Sequence, residues 1–209
     1  MGNARKISMK TLERIVLYKR ILGDLAAKGQ KTLYSHQLAE LAHNSPAQVR
    51  RDLMITGYSG TPRRGYTTED LIKKISVTLN ETAEQKIALV GIGNLGRAIL
   101  AYFNYQQPSF SIAAAFDSDE TRVDRVIAGC RCYHLREFES KVKELGVTLG
   151  IVTVPASSAQ TVADMMVSAG IKAILNFAPV PLKVPSNVFA DRIDITMALE
   201  KIAYLASIK

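Results

Sequence analysis

Three glycines carry the most specific chemical signal in the sequence. They stand in the spacing G-x-G-x-x-G, directly after the apolar run 86–90 and directly before the apolar segment 97–102. In this strand–turn–helix context, backbone N–H groups and the positive end of a helix can hold a pyrophosphate. The sequence therefore predicts a dinucleotide site formed by Gly91, Ile92, Gly93, Asn94, Leu95 and Gly96.

An acidic residue supplies the second half of this signal. Asp117 ends the predicted strand 111–116 and lies 21 residues beyond Gly96. A carboxylate at that place accepts a hydrogen bond from the 2′-hydroxyl of an adenosine ribose and repels a 2′-phosphate. The sequence thus favours NADH and NAD⁺ over their 2′-phosphorylated counterparts, although the nearby charges of Asp119 and Arg122 also bear on this choice.

Two later apolar runs indicate further strands of the same sheet. Residues 149–154 and 172–177 are continuously apolar, as strands buried on both faces of a parallel sheet are. Loops at the carboxyl ends of parallel strands build the ligand crevice of such folds. We therefore expect the nicotinamide half of the ligand to lie near Thr153, Val154, Pro155, Asn176, Phe177 and Ala178.

The N-terminal part of the chain has the pattern of a helix-turn-helix. Apolar residues recur at helical spacing over 9–28, and a short second helix is predicted to be capped by Ser35. A third helix is predicted over 46–56, with Ser45 as its N-cap and Gln48 completing a capping box. Two short helices joined by a tight turn, the second of them basic, are typical of this motif.

The third predicted helix is the candidate DNA reader. In this motif the second of the two short helices enters the major groove, where glutamine can address adenine and arginine can address guanine or a phosphate. The alternative for either arginine is a solvated side chain without a DNA contact. The predicted contacts are Ser45, Gln48, Arg50 and Arg51.

The segment after this helix indicates a wing. Residues 57–66 hold three glycines and a proline, which predicts a turn-rich hairpin with Arg63 and Arg64 near its tip. Arginines at such a tip can enter a narrow minor groove. A last helix, capped by Thr67 or Thr68, is predicted to precede the polar linker at 80–85.

The charge of the chain is concentrated in this N-terminal part. The protein has 209 residues and a net charge of +8, of which +7 falls in residues 1–81 and +1 in residues 82–209. A basic block on a nearly neutral body favours a polyanionic partner such as double-stranded DNA. A basic surface that serves solubility is the alternative.

The last segment of the chain predicts a subunit interface. Residues 195–208 are apolar around most of a helix surface, interrupted by Glu200 and Lys201. Such a helix needs burial on more than one side, and a homodimer provides it; packing on its own sheet is the alternative. We therefore divide the α/β chain into a winged-helix DNA-binding domain (1–81), a Rossmann-like NAD(H)-binding domain (82–194) and a dimerisation helix (195–209).

The composition also bears on location. No apolar run approaches the ~18 residues of a membrane helix, and no signal-peptide pattern is present at the N-terminus. Cys130 and Cys132 are too few for a disulfide framework, and they lack the further ligands a metal site needs. A cytoplasmic protein without a membrane contact or a metal is expected.

The combination of these pieces resembles one family, the bacterial Rex redox-sensing repressors. The resemblance is carried by the segments 48–53, 91–96, 153–155 and 174–179. It implies a homodimer that binds an inverted-repeat operator, that NAD⁺ allows to bind and that NADH releases. It also implies that the C-terminal helix is swapped between subunits.

The same resemblance implies a switch of three residues. Asp194 of one subunit would pair with Arg20 of the other when DNA can bind, and would turn to Tyr102 when NADH is present. The wing at 58–64 and the Cys130–Cys132 pair depart from the family pattern.

Two other functions are compatible with parts of the sequence. An NAD-dependent dehydrogenase would need a second domain with a catalytic acid or base, and after Gly96 the only histidine is His134, without a paired acid at a convincing spacing. A DNA-binding regulator that responds to CoA or another nucleotide is the other alternative, and Asp117 argues against it by favouring a free ribose diol.

Overall fold

The computed structural model describes residues 7–58, 65–79, 84–106 and 109–208. The chain divides into two compact units, Met1–Thr82 and Ala83–Lys209, which we describe separately. The predicted wing arginines, Arg63 and Arg64, lie outside the described residues, as does most of the predicted linker.

The first unit is built from short helices and a two-stranded antiparallel ribbon. Ser8 and Ser45 each begin a helix by accepting a hydrogen bond from a backbone N–H three residues later, and Gly29 and Gly57 follow helix ends with positive φ. Its described elements are α1 (Met9–Ala27), β1 (Thr32–Leu33), α2 (Ser35–Leu41), α3 (Pro46–Ile55), β2 (Tyr66–Thr67) and α4 (Thr68–Thr78).

Two details of the predicted caps are wrong. Ser35 is the first residue of α2, and Tyr34 holds the N-cap position, where its N–H donates to Gln37 Oε1 at 2.8 Å. The predicted N-cap of α4 is confirmed, since Thr67 holds that position, although its side chain makes no capping hydrogen bond. The side chain of Gln48 bonds within α3 and does not complete a capping box.

The core of this unit lies between α1, α3 and α4. The three helices are amphipathic, and each turns its apolar stripe inward, so the spacing seen in the sequence decides which side chains meet. The buried residues on these stripes are Ile15, Tyr18 and Leu22 of α1, Val49 and Leu53 of α3, and Leu71 and Ile75 of α4.

The second unit is a seven-stranded sheet with helices. Its strands are β3 (Gln85–Val90), β4 (Phe110–Asp117), β5 (Arg125–Ile127), β6 (Cys130–His134), β7 (Leu149–Val152), β8 (Ala173–Asn176) and β9 (Phe189–Arg192). Its α-helices are α5 (Asn94–Gln106), α6 (Phe138–Leu145), α7 (Ala156–Ser168) and α8 (Ile195–Ser207), and a single 3₁₀ turn covers Leu135–Glu137.

The strand order places a crevice beside β3. The order is β5-β6-β4-β3-β7-β8-β9, and every neighbouring pair is parallel except β5 with β6. Strand β3 buries both faces, with Ala88 and Val90 in one apolar cluster and Ile87 and Leu89 in another. The chain leaves β3 toward β4 on one side and later returns to β7 on the other, which opens a ligand crevice at its carboxyl end. This architecture confirms the predicted Rossmann-like sheet.

The C-terminal helix α8 is exposed along its described length. It forms as the apolar pattern predicts, and none of its described residues is buried. Leu199, Ile202 and Tyr204 each expose more than 60% of their surface. Within the described part of the chain, no helix has the length and apolar character needed to cross a membrane.

Candidate nucleotide-binding and DNA-binding sites

The glycine-rich turn after β3 is tightly packed against the end of β7. Gly91 has φ +99°, and a Cβ there would lie 2.8 Å from the carbonyl oxygen of Thr153. A Cβ on Gly96 would overlap the carbonyl oxygen of Gly91. The Thr153 hydroxyl lies 2.7 Å from this same oxygen and donates to it. Only glycine therefore fits at positions 91 and 96, and α5 starts within the motif, at Asn94, with its positive end toward the crevice.

The carboxylate of Asp117 is hydrogen-bonded to this turn. One of its carboxylate oxygens, Oδ2, accepts the N–H of Ile92 at 2.6 Å, and the other accepts the N–H of Asp119 at 2.9 Å. The carboxylate is 8% exposed, so its direction is fixed by the backbone rather than by solvent. The predicted ribose-binding carboxylate and the predicted pyrophosphate turn are thus one rigid assembly.

Arg122 is shared between two carboxylates at the same edge. Its Nη1 lies 3.3 Å from Asp117 Oδ2, and its Nε lies 3.1 Å from Asp119 Oδ2. Hydrogen bonds from the hydroxyl and backbone N–H of Thr121 lower the pKa of Asp119, which keeps this carboxyl ionised. Arg97 is a second cation that acts on Asp119. The two carboxylates hold the Arg122 guanidinium, so it is not free to bind the 2′-phosphate of a phosphorylated ribose.

A cavity of about 740 Å³ opens in front of this assembly. It is lined by most of the predicted ligand residues, namely Gly91, Gly93, Asn94, Leu95, Asp117, Thr153, Val154 and Pro155. Ile92 and Gly96 support the wall from behind, through the hydrogen bond to Asp117 and the close packing on Gly91. The volume lies in the range of small-molecule and cofactor sites.

The sequence did not identify several further residues of the wall. They are Val90, Ser118, Asp119, Arg122, Leu135, Ser157, Ser158, Thr161 and Val162. Ser118, Asp119 and Arg122 carry a hydroxyl or a charge just after a predicted strand, and Ser157 and Ser158 do so in the first turn of α7, which was a signal available from the sequence. Val90, Leu135 and Val162 are apolar and gave no such signal.

Three predicted ligand neighbours lie away from this wall. Asn176 is buried and turns back on its own loop, donating to the carbonyl of Val180 at 2.7 Å and accepting the N–H of Ala178 at 2.9 Å. Ala178 is buried in the core, and Phe177 packs against the other apolar cluster of the sheet. A place for these three beside the nicotinamide stays a prediction.

Four of the predicted DNA contacts, Ser45, Gln48, Arg50 and Arg51, lie at the start of α3 or on it. Ser45 accepts the N–H of Gln48 at 3.2 Å and so begins the helix. Arg50 and Arg51 are exposed, and Arg50 donates to the Ser35 hydroxyl at 3.3 Å. Gln48 is half-buried, and its amide is engaged on both sides, by Asp52 and by Arg51.

The three residues of the implied switch occupy separate local environments. Arg20 is exposed on α1. Tyr102 on α5 is half-exposed and packs edge-on against Phe103, with 5.5 Å between the ring centroids. Asp194 caps α8 by accepting the N–H of Met197 at 2.9 Å, and its other oxygen lies 3.5 Å from Arg192 Nη1.

The two cysteines lie in the sheet as buried free thiols. Both are on β6, and burial raises the pKa of each thiol from its ordinary value to about 11. Over the described residues, no group of three or more histidine, cysteine, aspartate or glutamate side chains could hold a metal ion.

Comparison with known proteins decides the family. Residues 6–53 match a family described as "Putative DNA-binding protein N-terminus", and residues 82–180 match the "CoA binding domain" family. The chain is 39% identical over 206 residues to a protein of Desulforamulus reducens named "Redox-sensing transcriptional repressor Rex", covering 99% of this chain and 98% of that protein. The chain belongs to the Rex family of redox-sensing transcriptional repressors.

Solved structures of a Rex-family repressor, RSP, share the fold. RSP in complex with β-NAD⁺ and operator DNA aligns with a TM-score of 0.90 at 30% identity, covering 96% of this chain and 92% of that one. RSP in complex with β-NADH aligns with a TM-score of 0.85 at 29% identity, covering 96% and 94%. The Rex relatives are named repressors rather than enzymes, which decides against the dehydrogenase alternative.

Proposed function

We propose that this Rex-family protein represses transcription according to the NADH/NAD⁺ ratio. It binds an inverted-repeat operator as a homodimer in the cytoplasm, and NADH releases it. The observation that carries the ligand proposal is the hydrogen bond from the Ile92 N–H to Asp117, because it holds a ribose-binding carboxylate beside a pyrophosphate-binding turn.

The nucleotide site has a distinct task for each part. The N-terminus of α5 and the turn at Gly91–Gly93 bind the pyrophosphate, and Asp117 accepts the hydroxyls of the adenosine ribose. Thr153, Val154 and Pro155 extend the cavity wall toward the part of the ligand that differs between NADH and NAD⁺. RSP, a relative of the same fold, has been solved with both nucleotides, which supports this assignment.

The DNA site rests on α3. Arg50 and Arg51 are exposed on a helix that begins at Ser45, and the first 81 residues carry a net charge of +7. Phosphate contacts by such residues give affinity that falls with salt, and base-edge contacts by Gln48 or an arginine give sequence preference. RSP has been solved with operator DNA, which supports the same use of this unit here.

The coupling of the two sites needs a second subunit. The exposed apolar surface of α8 would be buried by a partner, and the ordinary gain from burying such side chains favours the homodimer. Asp194, which caps α8, then pairs with Arg20 of the partner when DNA can bind and with Tyr102 when NADH is bound. A carboxylate that changes partners is a local event that can bias two domain arrangements, and a tenfold change in DNA affinity needs only ~1.4 kcal/mol.

Selection of DNA from a random duplex pool tests this function. The full-length protein is incubated with the pool in the presence of NAD⁺ and, in parallel, of NADH, and the bound duplexes are sequenced after several rounds. We expect an inverted repeat to be enriched with NAD⁺ and not with NADH. An identical enrichment with both nucleotides, accompanied by its loss when CoA is added, would instead support the CoA-responsive regulator.

A further inference from the structure

The recognition helix α3 holds a buried charge. Asp52 lies on its inner face, and its side chain is 2% exposed. The carboxylate accepts four hydrogen bonds: from Arg14 Nε at 2.7 Å and Nη2 at 2.8 Å, from the Tyr18 hydroxyl at 3.0 Å, and from Gln48 Nε2 at 2.8 Å. All of its usual acceptor positions are therefore occupied by protein groups.

This carboxylate ties α3 to α1 in a defined geometry. Arg14 and Tyr18 are one turn apart on α1, and Arg14 makes a two-pronged contact that fixes direction as well as distance. Burial alone would raise the pKa of Asp52, but the hydrogen bonds from Arg14, Gln48 and Tyr18 outweigh it and lower this pKa. The group is thus ionised, and the pair with Arg14 is maintained over the neutral pH range.

The network continues outward to the exposed face of α3. A carboxylate can only accept, so the amide of Gln48 must turn its NH₂ toward Asp52. Its oxygen then faces the other way and accepts from Arg51 Nη2 at 2.7 Å. The buried carboxylate of Asp52 in this way orients the exposed guanidinium of the preceding residue, Arg51, through Gln48 one turn earlier on the helix.

We propose that Asp52 is a positioning residue for DNA recognition: it fixes the amide of Gln48, and through it the guanidinium of Arg51, with α1 as the anchor. The proposal rests on the proposed function and names what sets the geometry of its DNA site. Side chains that are ordered before binding lose less conformational entropy when they contact base edges. This order therefore raises the affinity for the specific duplex. Non-specific binding, which needs only positive charge, does not depend on this order.

The test compares specific with non-specific affinity. The affinities of the wild type and of Asp52→Asn are measured by fluorescence anisotropy, for the selected inverted repeat and for a scrambled duplex at one salt concentration. We expect Asp52→Asn to lower the ratio of the two affinities about tenfold while the affinity for the scrambled duplex stays within about threefold. An unchanged ratio overturns the proposal. A wild type that does not distinguish the two duplexes contradicts the proposed function itself.

Three further variants separate positioning from stability. Ile15→Val removes one buried methyl group from α1 without touching the network, and we expect it to lower the melting temperature and leave the ratio unchanged. Tyr18→Phe removes one of the four hydrogen bonds to Asp52 and is no proposed DNA contact, so it replaces Asp52→Asn if that variant does not fold, and it should lower the ratio in the same direction. Gln48→Met keeps the Asp52–Arg14 pair and breaks the relay, and because Gln48 is itself a proposed base contact, it is interpreted only together with Asp52→Asn. The effects of Asp52→Asn and Gln48→Met on the ratio should not add in the double variant, since both break one chain of contacts. Additive effects overturn the proposal.

Discussion

The backbone N–H of Ile92 donates to the carboxylate of Asp117 at 2.6 Å, so the turn after β3 and the end of β4 are joined by a buried hydrogen bond. The two residues are far apart in sequence and meet because β3 and β4 are parallel neighbours. A hydrogen bond to a charged group is stronger than a neutral one, and here it preorganises the edge of the cavity that receives the adenosine ribose. The predictions on ligand binding follow from this assembly.

Gly96→Ala is expected to abolish the response to NADH. A Cβ at this position overlaps the carbonyl oxygen of Gly91, so the turn must move away from Asp117. NADH affinity should fall at least about tenfold, measured by the fluorescence of the bound nucleotide, with DNA binding retained. Gly23→Ala in α1, where a Cβ meets nothing within 4 Å, is the matched control and should bind NADH normally. Normal NADH release by Gly96→Ala would remove this turn from the ligand site.

Asp119→Asn is expected to relax the discrimination against NADPH. The substitution removes one of the two carboxylates that share Arg122, so the guanidinium becomes available to a 2′-phosphate. Because solvent screens this exposed charge, the gain in NADPH affinity should be a few-fold, with little effect on the affinity for NADH. Asp124→Asn makes the same charge change at an exposed site and should leave both affinities as they are. An effect of equal size in both variants would show a general charge effect.

Arg50→Ala and Arg51→Ala are expected to weaken operator binding and flatten its salt dependence. Each arginine that neutralises a phosphate contributes about 0.9 to the slope of log affinity against log salt. The slope is measured by anisotropy between low and moderate salt. Lys143→Ala on α6, an exposed cation of the other unit, should not change it. A wild-type slope for both arginine variants would exclude these arginines from phosphate contacts.

The thiols of Cys130 and Cys132 are expected to be unreactive in the folded protein. Burial raises the pKa of each to about 11, so only about one thiol in several thousand is ionised at pH 7.5, and this fraction rises only as the pH approaches 11. Mass spectrometry after iodoacetamide treatment should find both unmodified in native buffer and both alkylated in urea. Rapid native alkylation, or DNA release by dilute peroxide, would identify a thiol sensor instead.

Local sequence signals predicted the elements that position the sites. The caps and helical spacing located α1 and α3, and the G-x-G-x-x-G motif located the turn, because these features depend on residues close together in the chain. Strands β5, β6 and β9 were missed. Strands β5 and β9 are only three and four residues long, lie at the sheet edges and mix charged with apolar residues without a regular alternation. Such strands are held by pairing with a neighbour rather than by their own pattern.

The finer arrangement of the sites depends on contacts that only the fold creates. Arg14 and Asp52 are 38 residues apart, and nothing near either residue in sequence indicates their pairing. The contact between Gln48 and Asp52, by contrast, has the i, i+4 spacing of helical neighbours and was available from the sequence. Asn176 was placed beside the ligand because it ends a strand, and the hydrogen bonds of its side chain to Val180 and Ala178 could not be predicted from that pattern.

The measurement that tests the central claim most directly is the titration of a preformed complex of wild-type protein and labelled inverted-repeat duplex with NADH, followed by fluorescence anisotropy. A parallel titration with NAD⁺ serves as the control. We predict that NADH lowers the anisotropy to the value of free DNA and that NAD⁺ leaves the complex intact. A complex that binds its operator tightly and does not respond to NADH would contradict the account.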